Sequence, residues 1–282
     1  LSRHFRIREF IPPQPPIPPL KTSDSTSEQN VNILPSMTFA ELNITSNFSF
    51  LTGGSHTEEY AHLAALMGMP AFAIADENSV AGIVRAHVAL REVARQVKEH
   101  AKALAIDGPI GPPTPTNHPS PASAAILNIP RLIPAAKLVL QDGPTVTVLP
   151  RDRAAWGRLC RMLSLGRQRV EKGSCLLHLA DLLDWGTGLE LLLHPPGQPQ
   201  KPPSLRGADL WLQQAQQLTR RYPGQCHLLL TPRYDGQDIS RFDRLTALAE
   251  TLGIPPVASA ALSTRFITTC SSCPASPRTN AP

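Results

Sequence analysis

The stretch PAFAIADENSVAGIVRAHV, residues 70–88, decides the fold class. Pro70 to Ala75 is an apolar run of strand length that stops at Asp76. Helical spacing then begins near Ser79 and runs to about Leu104, with Val80, Ile83, Val84, His87, Val88 and Val93 marking the inward side. The same alternation precedes it. Phe39 to Leu51 reads as a short strand entering a loop, and Gly53-Gly54 supplies a turn. Ser55 and Glu58 have the spacing of a capping box, and Tyr60, Leu63, Ala64 and Met67 form one helical face that Gly68 ends. Strand–helix–strand–helix at this spacing predicts α/β architecture, a parallel sheet or a barrel.

Beyond that unit, Lys137 to Leu140 and Thr145 to Leu149 flank Asp142-Gly143, a hairpin signal. A helix is predicted over Asp152 to Leu165, with Trp156, Leu159, Cys160 and Leu163 inward and Gly166 as its end. Further helices are expected over Leu176 to Trp185, Ala208 to Tyr222 and Ser240 to Leu252, the last closed by Gly253. Strands are expected over Gly188 to His194, His227 to Thr231 and Ile254 to Ala258.

The 282 residues include 30 prolines, well above the usual ~5%, and these cluster. Residues 1–36 read as a disordered proline-rich leader and 106–128 as a flexible insertion. Met37 stands where order begins, so it is the expected start, with 1–36 an over-extended reading frame. A net charge of +5 is scattered, and fits a nucleic-acid partner or an ordinary solvated surface. No apolar run is long enough to span a membrane, and five irregularly spaced cysteines fit a reducing cytoplasm. Cys270 and Cys273 have the spacing of half a zinc site, but no second pair accompanies them.

Five ordered segments carry a resemblance: residues 39–59, 73–88, 137–143, 152–166 and 230–236. Together they resemble the amino-terminal PHP (polymerase and histidinol phosphatase) domain of bacterial error-prone polymerases in the polymerase III alpha-subunit (C) family. The resemblance covers about residues 37–258 and implies a distorted (β/α)7-type barrel over 37–262, incomplete at its carboxyl end, with a disordered tail over 263–282. It implies template-directed, DNA damage-inducible translesion synthesis for the full-length family, with Mg2+ as cofactor. The implied partners are DNA, the polymerase palm and fingers, a sliding clamp and mutagenesis accessory proteins.

Active PHP domains hold metal ions at the carboxyl ends of their strands, on imidazoles and carboxylates. The matching positions here are degenerate. His-x-His falls on Asn43 and Thr45, a following aspartate on Thr52, and an acidic ligand on Lys137, which would repel a cation. Asp-His reads Asp76-Glu77, and the closing Asp-x-His is absent from Ser259 to Arg265. Asp76 and Glu77 could hold Mg2+ weakly, or instead cap the next helix and oppose its dipole. His56 reads as a remnant ligand or a surface residue of the first turn, and His87 as a core histidine. Arg158, Arg161, Arg167 and Arg169 lie in the densest basic stretch, 151–172, where phosphate contacts or a solvated face are both open.

After Ser259 the family pattern stops, which suggests a shifted reading frame, and the palm carboxylates needed for nucleotidyl transfer are missing. The expected role is therefore a non-catalytic scaffold without a cofactor of its own. Alternatives are a stand-alone PHP-type metal-dependent phosphoesterase and a DNA-binding module using 151–172.

Overall fold

The computed structural model describes residues 39–106, 129–196 and 205–262. The expected leader, the tail with Cys270 and Cys273, and all but the first residue of the insertion lie outside these residues. The described chain is α/β, with eight strands and six helices. In order these are β1 (Glu41–Ile44), α1 (Thr57–Leu66), β2 (Ala71–Ile74), α2 (Ala81–Ile106), β3 (Arg131–Pro134), β4 (Ala136–Leu138), β5 (Val146–Pro150), α3 (Arg153–Gln168), α4 (Leu179–Trp185), β6 (Leu189–Leu193), α5 (Leu205–Arg221), β7 (Cys226–Leu230), α6 (Asp238–Leu252) and β8 (Pro256–Ala258).

Two sheets form, β1-β2-β3 and β4-β5-β6-β7-β8. The first is parallel; β5 runs antiparallel to β4 and β6, and β6, β7 and β8 are parallel. Only Ala135 separates β3 from β4, and the pairing with the β2 side resumes beyond it: Glu77 bridges Lys137, and Lys137 N–H donates to Asp76 O at 2.9 Å. Strands β3 and β4 thus act as one kinked strand shared by both sheets, giving seven strand positions. At the other seam no ladder joins β8 to β1. There Ser259 Oγ and Ala260 N–H donate to the Glu41 carboxylate, and Thr45 N–H donates to Leu262 O at 3.1 Å.

Side-chain alternation along the strands separates inside from outside. Leu189, Leu191 and Leu193 of β6 pack with Leu159, Leu182, Ala215 and Leu218 of the helices. Leu192 between them joins Ala73, Ala135, Leu149 and Leu229, with Leu42 and Val257 against this inner cluster. Every strand position therefore sends a residue to one interior layer.

Three helix faces differ from expectation. In α1 the buried face is Tyr60, Ala61, Ala64 and Ala65, while Leu63 and Met67 are exposed. In α2 it is Ile83, Ala86, Ala89, Leu90 and Val93; Val84 and Val88 are 68% and 58% exposed, and His87 faces solvent rather than the core. Alanines complete both stripes, because the small side chain permits close approach to the sheet. In α3, Met162 is buried where Cys160 was expected, and Gly166 does not end the helix. It is a point of close approach: an added Cβ would stand 2.6 Å from Leu177 Cδ2.

Candidate functional site

Polar groups collect at the carboxyl ends of the strands, where the chain leaves the sheet and backbone groups lose their ladder partners. Asp76 follows β2 directly and is 1% exposed. Its Oδ1 accepts from Ser46 N–H at 2.8 Å and Ser49 Oγ at 2.9 Å, and the Ser46 hydroxyl lies within reach of both carboxylate oxygens. Ser49 Oγ in turn accepts Glu77 N–H at 2.9 Å. Asp76 thus fixes the loop after β1 onto the β2 end. It does not cap α2, where Ser79 Oγ accepts Ala81 N–H at 3.2 Å, but it lies close by: a Cβ on Gly82 would stand 2.8 Å from Asp76 Oδ2.

Beside it, Lys137 Nζ contacts Glu77 Oε1 at 3.1 Å, with the lysine side chain only 13% exposed. Across the mouth, buried Asn43 Oδ1 lies 2.9 Å from Thr147 Oγ, which also lies 2.9 Å from His194 Nε2. Burial, and secondarily the Lys137 charge, push the His194 pKa down to about 3, so the imidazole is neutral. A neutral ring donating from Nε2 to Thr147, whose hydroxyl donates to Asn43, satisfies all three groups.

Of the residues singled out in the sequence, Asn43, Asp76, Glu77 and Lys137 come together at the strand ends. Thr45 is buried beside them, its carbonyl accepting Tyr60 Oη at 3.4 Å. Thr52 is exposed in the loop after β1, its N–H donating to Ser49 O at 3.0 Å. His194, Thr147, Ser46 and Ser49 belong to the same cluster and were missed. For His194 a signal existed, a polar residue directly after the apolar run Leu191–Leu193. The serine pairing with Asp76 spans about thirty residues and left no local signal.

These residues do not fit a divalent ion. Such an ion needs several converging lone pairs. Asp76 already accepts from two serines, Glu77 is paired with an ammonium, and Asn43 accepts from Thr147. Among the described residues no group of three or more His, Cys, Asp or Glu side chains is placed to hold a metal.

His56 is the N-cap of α1 and is exposed, with Nδ1 3.0 Å from Asn47 Nδ2. Its N–H is accepted by Glu59 at 3.2 Å, so the box begins one residue later than Ser55 and Glu58 predicted. The four arginines do not form one anion site. Arg158 Nε donates to Thr187 O, Arg167 to Asn78 O, and Arg169 forks onto Asp181; Arg161 is exposed on α3.

No family model matches the chain. Curated relatives do. An error-prone DNA polymerase of Ruegeria pomeroyi is 44% identical over 230 residues, 79% of this chain and 20% of that protein. Those of Rhodopseudomonas palustris and Sinorhizobium medicae are 38% and 37% identical over 222 and 217 residues. The chain is homologous to part of the error-prone DNA polymerases. The resemblance carried by the five ordered segments is thereby borne out. The chain spans only a fifth or less of the length of these error-prone polymerases. Among solved structures, an amidohydrolase from Chromobacterium violaceum with bound sulfate and no metal is 14% identical. It covers 79% of this chain and 86% of its own, at TM-score 0.42, too distant to bear on the chemistry of an error-prone polymerase segment.

Proposed function

We propose that this chain is the amino-terminal PHP-type domain of an error-prone DNA polymerase and acts there as a non-catalytic scaffold for the palm and fingers. The observation that carries this reading is the Glu77–Lys137 pair at the strand ends, beside an Asp76 whose oxygens are already engaged. A metal-dependent phosphoesterase would need those carboxylates free. The DNA-binding alternative is weakened by the internal acceptors that take Arg158, Arg167 and Arg169.

By the names of its relatives, the full-length polymerase would take DNA as partner, and the family resemblance implies Mg2+ for nucleotidyl transfer. Translesion synthesis after DNA damage, contact with a sliding clamp and mutagenesis accessory proteins, and a cytoplasmic setting complete this proposal. The free thiols of Cys160, Cys175 and Cys226 agree with a reducing compartment.

The scaffold role is tested by a chimera in which residues 37–262 replace the matching segment of the Ruegeria pomeroyi polymerase. The expected result is DNA synthesis within about tenfold of the parent, roughly 1.4 kcal/mol in barrier. A soluble chimera without synthesis argues against it. Phosphodiester hydrolysis by this chain with Mn2+ or Zn2+, abolished by Asp76→Ala, would instead favour the phosphoesterase.

A further inference from the structure

Resting on that reading, we infer that the Lys137 ammonium is the resident cation of the barrel mouth, a tethered charge that holds Glu77 as a bound divalent ion would. The backbone fixes its place. Lys137 N–H donates to Asp76 O and Asn78 N–H donates to Lys137 O, both at 2.9 Å, so the lysine is locked beside the two acidic residues. Asn78 takes a left-handed backbone, φ 46°, and its Oδ1 accepts Val139 N–H at 3.0 Å, stitching the same turn to the residue after β4. The side chain is then largely withdrawn from water with its Nζ 3.1 Å from Glu77 Oε1.

The surroundings are built for a single positive charge. Buried His194 stays neutral near the ammonium. Asn43 and Thr147 turn to each other and contribute no charge. A covalently tethered cation does not dissociate, so the mouth keeps its order whatever the metal supply. A divalent ion arriving from solution would meet a positive charge about 3 Å from the one carboxylate not saturated by hydroxyls, and would be repelled.

The test uses the full chain, prepared with chelator, and reads melting temperature and Mn2+ bound by equilibrium dialysis. The parent chain is expected to take up no stoichiometric Mn2+ and to keep its melting temperature at millimolar Mn2+. Lys137→Glu creates two facing carboxylates. This variant is expected to melt lower in chelator, to bind one Mn2+, and to regain about 5 °C or more at saturation. Adding Glu77→Gln is expected to weaken that uptake at least about tenfold. Should Lys137→Glu not fold, Lys137→Gln serves. It is expected to lower the melting temperature by leaving Glu77 unpaired, and Glu77→Gln in the same chain to recover most of the loss.

The inference is overturned if the parent chain binds one Mn2+ with a rise in melting temperature. It is also overturned if Lys137→Gln melts like the parent and shows no coupling to Glu77→Gln. Neither readout involves DNA synthesis, so an inactive chimera alongside the expected Mn2+ behaviour removes the scaffold role alone.

Discussion

Glu41 is a carboxylate almost without solvent, at the seam where β1 meets the chain leaving β8. It accepts from Ser259 Oγ, from Ala260 N–H at 2.7 Å and from Asn43 N–H at 2.8 Å. Burial outweighs these donors and raises its pKa above the ordinary carboxylate range. A folded pKa above the unfolded one means its stabilising contribution is complete below the unfolded value and lost as pH rises through the folded one. Glu41→Ala strands three buried donors and is expected to cost about 2–4 kcal/mol in urea unfolding at neutral pH. Glu41→Gln sets an amide N–H against one backbone donor and is expected to cost about 1–2 kcal/mol there. That deficit should grow as pH falls, because the parent gains stability and the amide does not. A deficit that shrinks on acidification would show that burial does not raise the Glu41 pKa.

Helix α3 illustrates how an element depends on both its own code and its neighbours. Asp152 accepts Ala155 N–H at 2.7 Å, a local N-cap whose loss in Asp152→Ala should cost about 1 kcal/mol. At the other end Arg169 forks onto Asp181 in the first turn of α4. The guanidinium, and then the His178 N–H, hold the Asp181 carboxyl below its usual range. The sign is opposite to that of Glu41: stability is present above the unfolded pKa and lost as pH falls through the folded one. Arg169→Met is therefore expected to lower the melting temperature at pH 7, with the difference from the parent vanishing in strong acid. An equal difference at both pH values would assign the effect to lost packing instead. The start of α3 at Asp152 was legible because its signal lies within a few residues. The length of α3 was not, since Gly166 reads as a terminator until Leu177 is seen against it.

At the scale of the molecule, the interior is layered. Large residues of β5, β6 and β7 (Leu149, Leu192, Leu229) meet alanines of β2 (Ala71, Ala73), of the residue after it (Ala75) and of the β3–β4 junction (Ala135). Polar groups lie at both ends of this layer. Asn43, Thr147 and His194 mark the carboxyl end, while Arg151, Glu190 and His227 are linked at the amino end. Leu192 touches no helix core yet should be among the costliest positions. Leu192→Ala is expected to lose about 2–5 kcal/mol, with an unchanged urea m-value if the barrel unfolds as a unit. A loss under 1 kcal/mol would mean that the layer collapses to fill the space.

Apart from β3, Arg131–Pro134, which carried no signal that was read, the sequence by itself determined the order of the described elements and their class, because apolar periodicity and capping signals act over a few residues. It also carried the motifs that tie the chain to error-prone polymerases, and the mismatch of Asn43, Thr45 and Lys137 with metal ligation. Tertiary structure decided the rest. The sharing of the β3–β4 strand by two sheets, the Glu41 clasp and the pairing of Lys137 with Glu77 join residues from about sixty to over two hundred positions apart. Such contacts leave no periodic trace, since their geometry exists only once the barrel brings the strand ends into one ring. The exposed faces of α1 and α2 were misjudged for a related reason. Alanine scores weakly as apolar, yet a close-packed helix–sheet interface selects it for its size.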